Sequence, residues 1–222
     1  MEIKGFIGLS LVDWDGMVSS VIFLPGCNMR CPYCYNIDLV LHPERLETIP
    51  WRRVEEYLTQ KRDFIDGVVL LGGEPTIHPD LPELCRKIKG LGLLVKLDTN
   101  GSNPDMIRRL MDGGLVDFVA MDIKAPLNEE KYSRATGVRA RGLLGRIRES
   151  INLLMNGRVD YEFRTTLVPT LHTPEDVREI CQTIQGCRKY VLQRFRVEGG
   201  TIDPNFSRLK PFSDREMNAF LE

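Results

Sequence analysis

Short apolar runs alternate with longer amphipathic segments along most of the chain. The first run, Val18–Leu24, is rich in β-branched residues and predicts a strand, and Trp51–Arg62 then shows helical spacing of its apolar residues. The same alternation continues and predicts six strands in all: Val18–Leu24, Val68–Leu71, Leu94–Leu97, Phe118–Ile123, Tyr161–Leu167 and Val191–Phe195. The predicted helices are Trp51–Arg62, Leu81–Leu91, Pro104–Met111, Gly142–Met155, Glu175–Ile184 and a terminal helix from Asp214 onward, with a turn at Lys131–Gly137.

Strands that alternate with helices favour right-handed crossovers and a parallel sheet. A closed barrel needs eight such units and usually about 250 residues. The chain offers six units in 222 residues. We therefore predict the α/β class, with a partial, open (β/α)6 barrel that is similar to a TIM barrel. No linker or low-complexity segment divides the chain, which predicts a single domain over residues 1–222.

Residues that could form a functional site follow the predicted strands directly. Cys27 comes after the first strand, Gly72 after the second, Asp98 ends the third, and Lys124 comes after the fourth. The carboxyl ends of parallel strands meet at one side of such a framework, where loops build active sites. The periodicity alone therefore predicts one shared site for these residues.

Three cysteines, Cys27, Cys31 and Cys34, form a C-x3-C-x2-C run. Three thiolates can hold three irons of a cubane cluster, whereas a cluster used only for electron transfer normally has four cysteine ligands. The missing fourth ligand would leave one iron open to a reactive ligand. A zinc site completed by His42 is the alternative, although structural zinc sites usually have paired Cys or His spacings.

The other three cysteines are Cys85, Cys181 and Cys187, on or just past predicted helices. A framework of three disulfides is the alternative for the six cysteines, but such frameworks are typical of short, cysteine-dense secreted chains. We expect these three residues to act as small apolar side chains.

Three further motifs follow the cysteines. In Gly72-Gly73-Glu74-Pro75, two glycines after a strand let the backbone approach a ligand closely, or form a plain turn. The segment Asp98-Thr99-Asn100-Gly101 would by itself form an Asx-type turn. Asp122 and Lys124 lie two apart on a strand and share one face, and an ordinary surface ion pair is the alternative for Lys124.

Taken in order, these motifs resemble those of the radical S-adenosylmethionine (SAM) superfamily, and within it the activating enzymes of glycyl radical enzymes. The activating protein of anaerobic ribonucleoside-triphosphate reductase, in its long form, is the most similar type. The resemblance extends from about Gly5 to about Phe212. It implies a four-iron, four-sulfur (4Fe–4S) cluster on the three cysteines, with the open iron chelated by the amino and carboxylate groups of SAM.

The resemblance also implies roles for single residues. Gly72, Gly73 and Glu74 would contact the SAM amino group, and Lys124 the SAM carboxylate. Asp98 and Asp122 match carboxylates that hold a monovalent cation beside the SAM carboxylate. Tyr33, Val191 and Gln193 would lie near the adenine, His172 would contact the ribose, and Arg164 would hold the ribose or the carboxylate. An edge-strand arginine and a plain loop histidine remain the alternatives at Arg164 and His172. Asn100 is a further residue of the SAM-binding set.

Asp13 lies in Leu11-Val12-Asp13-Trp14-Asp15-Gly16, near a pattern that activating enzymes use to dock the substrate peptide. The chain departs from that pattern at Asp15, where proline is usual, at Val18, where arginine is frequent, and at Tyr35, where histidine is common. These departures concern the protein partner and not the SAM chemistry. The arginines between Arg134 and Arg148 form a basic stretch, which is a solvated face or a docking surface.

The function implied by the resemblance is that of a radical SAM activase. An electron from a flavodoxin or ferredoxin would cleave SAM to methionine and a 5′-deoxyadenosyl radical, which takes hydrogen from a glycine Cα of a partner, the anaerobic ribonucleotide reductase first of all. One alternative is a radical SAM enzyme that acts on a small molecule or nucleoside. Another is a non-catalytic iron–sulfur electron carrier, which predicts a fourth protein ligand.

Composition restricts the possible cellular location and binding partners of the protein. With 30 Lys and Arg against 31 Asp and Glu, the net charge is −1, which argues against bulk nucleic-acid binding. No apolar stretch approaches the roughly 18 residues needed to span a membrane. The start, M-E-I-K-G-F, lacks the layout of a signal peptide, so we expect a cytoplasmic protein.

Overall fold

The strands lie side by side in the order in which they occur along the chain. The structure, a computed structural model, describes residues 1–197 and 199–221. Its first two strands are antiparallel and all later neighbours are parallel. The sheet is open, with the first and last strands as its edges, and forms the predicted partial barrel: β1 (Gly5–Ser10), β2 (Ser19–Leu24), β3 (Gly67–Gly72), β4 (Leu94–Thr99), β5 (Phe118–Asp122), β6 (Asp160–Leu167) and β7 (Tyr190–Arg194).

The parallel strands are joined by helical crossovers, and all the predicted helices are present within a few residues of their predicted ends. The helices are α1 (Ile37–Leu41), α2 (Trp51–Gln60), α3 (Leu81–Gly90), α4 (Pro104–Asp112), α5 (Glu129–Thr136), α6 (Leu143–Asn156), α7 (Pro174–Thr183) and α8 (Asp214–Ala219). Among the described residues, none of the helices combines the length and the apolar character needed to cross a membrane.

The structure corrects the sequence prediction at three places. The antiparallel strand β1 and the short helix α1 were not predicted, and the turn predicted at Lys131–Gly137 is wrong because most of it is helix α5. The Asn128 side chain caps α5 by accepting from the backbone N–H groups of Glu130 and Lys131. The helix ends at Gly137, whose φ of 66° suits glycine.

The outer face of the sheet packs against the helices and forms the main core. Alternate strand residues such as Leu24, Leu70, Leu97 and Phe163 are fully buried there. Because successive strand residues point to opposite faces, the residues between them line the inner face of the open barrel. Burial of each such aliphatic side chain contributes about 1.5–3 kcal/mol, so this layer supplies most of the apolar stabilisation.

A segment of residues 11–17 connects β1 to β2 and passes across the inner side of the barrel. Trp14 is 5% exposed and packs with Val21 and Val69 on the inner face. The Asp13 carbonyl accepts a hydrogen bond from Lys96 Nζ at 2.5 Å. Asp15 Oδ2 lies 2.6 Å from Lys189 Nζ, just before β7, so the segment links the two edges of the sheet at one end of the barrel.

Candidate active site

A cavity of about 300 Å³ lies where the parallel strands end. Each predicted site residue except His172 and Val191 lines it, so residues from strands β3 to β7 and from the cysteine loop after β2 meet there. Val191, the other residue considered for the adenine, lines a neighbouring cavity instead. The strand-end motifs therefore line one cavity, and their shared function stays a prediction.

The three predicted ligand cysteines lie on one loop that is fixed from two sides. On one side, Arg30 N donates to Thr136 O at 2.8 Å. On the other side, Ile202 N donates to Cys34 O at 3.0 Å, and Asp203 N donates to Pro32 O at 2.9 Å. The loop therefore holds its cysteines toward the cavity with backbone contacts that do not depend on a bound group.

Burial raises the pKa of all three thiols, that of Cys31 to about 12. The positive charge of Lys124 opposes this effect at each of them. Because iron and zinc bind the thiolate, coordination must supply the free energy to deprotonate these groups. Three thiols on one wall of a cavity fit the three protein ligands of a 4Fe–4S cluster with an open iron.

The structure does not bring His42 to the cysteines. Its Nδ1 lies 3.6 Å from Glu44 Oε1, and His42 does not line the cavity. Across residues 1–197 and 199–221, no three His, Cys, Asp or Glu side chains converge on the position of one metal ion. The zinc alternative therefore lacks the fourth ligand on which it depended.

Gly72 and Gly73 are glycines because the end of β3 lies directly on the start of the cysteine loop. A Cβ on Gly73 would lie 1.7 Å from Gly26 O, and one on Gly72 would lie 2.4 Å from Leu24 O. The φ of 125° at Gly72 also disfavours any other residue. Gly73 N and Glu74 N donate to Leu24 O and Gly26 O, which fixes this contact.

The Glu74 carboxylate is 1% exposed and links the loops after β3 and β4. Its Oε1 accepts from Thr76 N at 3.0 Å, Thr76 Oγ1 at 2.5 Å and Thr99 Oγ1 at 2.6 Å, while Oε2 accepts from Asn100 N at 2.7 Å. Burial raises its pKa, and these hydrogen bonds oppose the rise. The geometry gives Glu74 a positioning role, and its contact with an amino group stays a prediction.

Asn100 extends this network to the cysteine loop. Its Nδ2 donates to Asn28 Oδ1 at 2.9 Å and lies 4.0 Å from Cys27 Sγ. Its Oδ1 accepts from Ser102 N, and Asn28 Nδ2 donates to Ser102 Oγ at 2.7 Å. The sequence analysis missed Asn28 and Ser102 because single small polar residues in loops give no pattern. The spacing of Asn100 and Ser102, typical of an Asx-turn, is the one available signal.

Four charged side chains form a row across the cavity wall, from Asp98 on β4 to Lys124 after β5. Arg164 lies between the two aspartates, with Nη1 2.8 Å from Asp98 Oδ2 and Nε 2.9 Å from Asp122 Oδ1. Lys124 Nζ lies 2.8 Å from Asp122 Oδ2. Burial alone would raise the pKa of Asp122, but Lys124 and Arg164 outweigh it and lower this pKa to about 2.

Asp98 differs from Asp122 in its environment. Burial raises the pKa of Asp98 despite the charges of Arg164 and Lys96. Its Oδ1 is buried and, within the described part of the chain, accepts no hydrogen bond. Such an orphaned anionic oxygen fits a bound cation or a polar ligand atom beside it.

A second set of charges lies deeper in the barrel and was not predicted. Lys96, 4% exposed, lies 3.7 Å from Asp98 Oδ1 and 4.0 Å from Glu162 Oε1, and Lys189 Nζ lies 2.9 Å from Glu162 Oε2. They line the neighbouring cavity of about 340 Å³. The apolar neighbours of Lys96 on β4 made the segment look like a wholly apolar strand.

His172 is placed behind the cavity wall and not in it. It is 4% exposed, and its Nδ1 accepts from Val168 N at 3.0 Å. That bond leaves Nε2–H to donate to Lys124 O at 2.8 Å, and burial lowers the His172 pKa. Both ring nitrogens are therefore used to hold the backbone that carries Lys124, and none faces a ribose in the cavity.

The remaining predicted residues lie at the edge of the cavity. Asp13 Oδ2 accepts from Ser10 Oγ at 2.5 Å. Tyr33 is 7% exposed and packs edge-on against Phe195, and its hydroxyl has no partner in the described residues. Gln193 Oε1 lies 3.5 Å from Thr166 Oγ1. All three side chains line the cavity, and the Tyr33 hydroxyl is fully buried there.

Comparison with known proteins identifies similar chains. The radical SAM superfamily matches residues 21–192. The "Putative glycyl-radical enzyme activating enzyme" of Methanocaldococcus jannaschii is 35% identical over 97% of this chain and 88% of its own length. The pyruvate formate-lyase-activating enzyme of Clostridium pasteurianum is 28% identical over 84% of this chain and 77% of its own.

Solved structures support the fold. The crystal structure of Streptococcus suis SuiB bound to precursor peptide SuiA superposes with a TM-score of 0.66 at 18% identity. The match covers 90% of this chain and 44% of SuiB, so the chain spans a little under half the length of that structure.

Proposed function

The chain belongs to the radical SAM superfamily, and we propose that it is an activating enzyme that forms a glycyl radical on the anaerobic ribonucleotide reductase. The observation that supports this most is one cavity lined by three thiols on one side and the row from Asp98 to Lys124 on the other. The M. jannaschii relative, similar over nearly the whole chain, carries the name of such an activating enzyme.

When bound, a 4Fe–4S cluster and SAM supply the reductive cleavage of the sulfonium by one electron from an external donor, a flavodoxin or ferredoxin. Overall, one electron, SAM and a glycine Cα–H group of the partner would give methionine, 5′-deoxyadenosine and a glycyl radical. The protein positions these groups and excludes other reactants.

The residues of the cavity would bind different parts of the cluster and of SAM according to their charge and size. Cys27, Cys31 and Cys34 would hold three irons, which leaves the fourth iron for SAM. Lys124, a buried cation, suits the SAM carboxylate. The backbone of Gly72 and Gly73 suits the amino group, because no Cβ blocks its approach.

Asp98 and Asp122 would hold the monovalent cation. Both oxygens of Asp122 and Oδ2 of Asp98 accept hydrogen bonds from cationic side chains, whereas Asp98 Oδ1 accepts none in the described residues and has Lys96 Nζ at 3.7 Å, so Asp98 Oδ1 is the atom best suited to the cation. Tyr33 and Gln193 would contact the nucleoside, with Arg164 holding Asp98 and Asp122 in place.

The partner would approach along residues 11–17. Asp13 faces the cavity, and Leu11 and Val12 are 67% and 87% exposed beside it. An exposed apolar pair next to a cavity suits a polypeptide better than a fully enclosed small molecule. The departures at Asp15 and Val18 count against the usual docking pattern, and the family resemblance makes the anaerobic reductase the first partner to test.

The test is anaerobic reconstitution with iron and sulfide, followed by dithionite and SAM. We expect 5′-deoxyadenosine from the wild-type protein and, with the anaerobic reductase added, a glycine-centred doublet in the electron paramagnetic resonance spectrum. Cys31→Ala should abolish both signals and retain the circular dichroism of the fold. Cys181→Ala, at an exposed cysteine outside the cavity, is the matched control and should keep both.

Different outcomes separate the alternatives. An electron carrier would give no 5′-deoxyadenosine at all. A radical SAM enzyme for a small molecule would give 5′-deoxyadenosine but no doublet with any glycyl radical enzyme.

A further inference from the structure

Exposed arginines gather against the outside of the cysteine loop. Arg30 lies in that loop between Cys27 and Cys31, and its side chain is exposed. Its Nη1 donates to Cys27 O at 2.6 Å and to Met29 O at 2.7 Å. A positive charge is therefore fixed on the carbonyl groups that flank the first predicted cluster ligand.

Helix α5 adds one more arginine at the same place, and the loop after it adds two. Arg30 N donates to Thr136 O, and a Cβ on Gly137 would lie 2.1 Å from Arg30 O, so the end of α5 touches the cysteine loop directly. Ala140 N donates to Ser133 Oγ, which folds the loop back onto α5. Three exposed arginines flank these contacts and, with Arg30, form what we name the basic face: Arg30, Arg134, Arg139 and Arg141.

The charge of the basic face is not balanced locally. Residues 131–148 contain six cationic side chains and no Asp or Glu, although the whole chain carries a net charge of −1. Within the described chain, none of the four arginines of the basic face forms an ion pair with a carboxylate. Asp203, which contacts the opposite side of the cysteine loop, is an acidic residue.

We propose that the basic face is the docking site of the electron donor, a small acidic redox protein. This inference rests on the proposed function, because reductive cleavage takes one electron from outside the chain. The donor is oxidised by one electron and the cluster is reduced by one. The basic face lies against the loop of the predicted cluster ligands, and its charge complements an acidic surface. Exposed charges of this kind mainly raise the association rate, and salt weakens their effect.

The test uses the reconstituted protein and two reductants. Arg139→Glu/Arg141→Glu changes the charge of the basic face by −4, and Arg53→Glu/Lys61→Glu makes the same change at exposed positions on and just after α2. With dithionite, both variants should form 5′-deoxyadenosine at the wild-type rate. With a purified acidic flavodoxin, reduced photochemically, we expect the basic-face variant to be slower by about tenfold at low salt. The α2 variant should stay within about twofold, and the wild-type rate alone should fall steeply with added salt.

Equal rates of 5′-deoxyadenosine formation by the wild type and the basic-face variant with flavodoxin, whether both are fast or both are slow, would overturn the proposal. Loss of the glycyl radical with dithionite, while 5′-deoxyadenosine persists, would assign the basic face to the glycyl radical enzyme instead. Arg139→Gln/Arg141→Gln repeats the test without charge reversal, and slowing with dithionite in this variant as well would also overturn the proposal. No 5′-deoxyadenosine from the wild type with dithionite would refute the proposed function itself.

Discussion

The inner face of the sheet has two halves that differ in chemistry. Between β1 and β3 it is apolar, with Val21, Val69 and the covering Trp14 in one cluster. From β4 to β6 the same face carries Lys96, Asp98, Asp122, Glu162 and Arg164. The change occurs between adjacent strands, since Val69 on β3 pairs with Lys96 on β4.

The two halves stabilise the barrel in different ways. The apolar half is stabilised by burial and tolerates changes that conserve volume. The charged half loses hydration on folding, and its ion pairs offset that cost only while every partner is present. Since apolar residues at the same positions would cost less to bury, the charges are better explained by the ligand that the cavity binds.

The largest effect should come from the centre of the charged half. Arg164→Met leaves Asp98 and Asp122 buried without their shared partner, and we expect a loss of about 3–5 kcal/mol in the free energy of unfolding. Urea denaturation of the apoprotein measures it. Arg178→Met, which removes an exposed ion pair with Glu175 on α7, is the control and should cost less than about 1 kcal/mol. Similar losses in both variants would contradict the high cost assigned to breaking the buried ion pairs of the charged half.

Asp122→Asn should have the next largest effect, and the effect should depend on pH. Because the folded-state pKa of Asp122 is lowered to about 2, the carboxylate contributes stability above its unfolded pKa of about 4, and this is lost as pH falls toward 2. We expect the variant to be less stable by about 2–3 kcal/mol at pH 7, and the difference to shrink below pH 4. Asp105→Asn, at an exposed carboxylate on α4, is the control. A difference that is constant with pH would contradict the assignment.

Gly73→Ala tests the backbone contact at the end of the apolar half. The added Cβ would meet Gly26 O and push the cysteine loop away, at a cost of about 1–3 kcal/mol. Because Cys27 follows Gly26, iron content after reconstitution should fall as well. At Gly90, an added Cβ meets nothing within 4 Å, so Gly90→Ala should retain both stability and iron content. Full iron loading in Gly73→Ala would show that the contact is adaptable.

The smallest effect should come from a substitution within the apolar half. Leu71→Met conserves volume and should cost less than about 1.5 kcal/mol of unfolding free energy. Lys96→Met, the same replacement on the next strand, leaves Asp98 and Glu162 short of a cation and should cost more. Equal losses in the two methionine variants would remove the distinction between the halves.

The fold was largely predictable because apolar runs and amphipathic helices repeat with clear periods. Strand β1 was not, since its glycines interrupt the apolar run, and Gly8 is needed because a Cβ there would lie 2.5 Å from the Tyr57 ring. Helix α5 could have been predicted, because Asn128 and Gly137 are ordinary capping residues at its two ends.

The residues that line the cavity were predictable where they follow a strand within a motif, as the cysteines and Lys124 do. It was not predictable where contacts are long-range. Glu74 is bound by Thr99 and Asn100 from the next strand, and His172 contacts Lys124 O across 48 positions. Such contacts depend on how two loops meet in space, which periodicity within one segment does not encode.

The segment of residues 11–17 links the two edges of the sheet, because Lys189, just before β7, contacts Asp15, and Lys96 donates to the Asp13 carbonyl. A second link joins the loop after β2 to the segment after β7, where Ile202 N and Asp203 N donate to Cys34 O and Pro32 O. An open sheet that is linked twice across its gap should resist splaying of its edges, so the cavity keeps its width although strand pairing does not close the barrel.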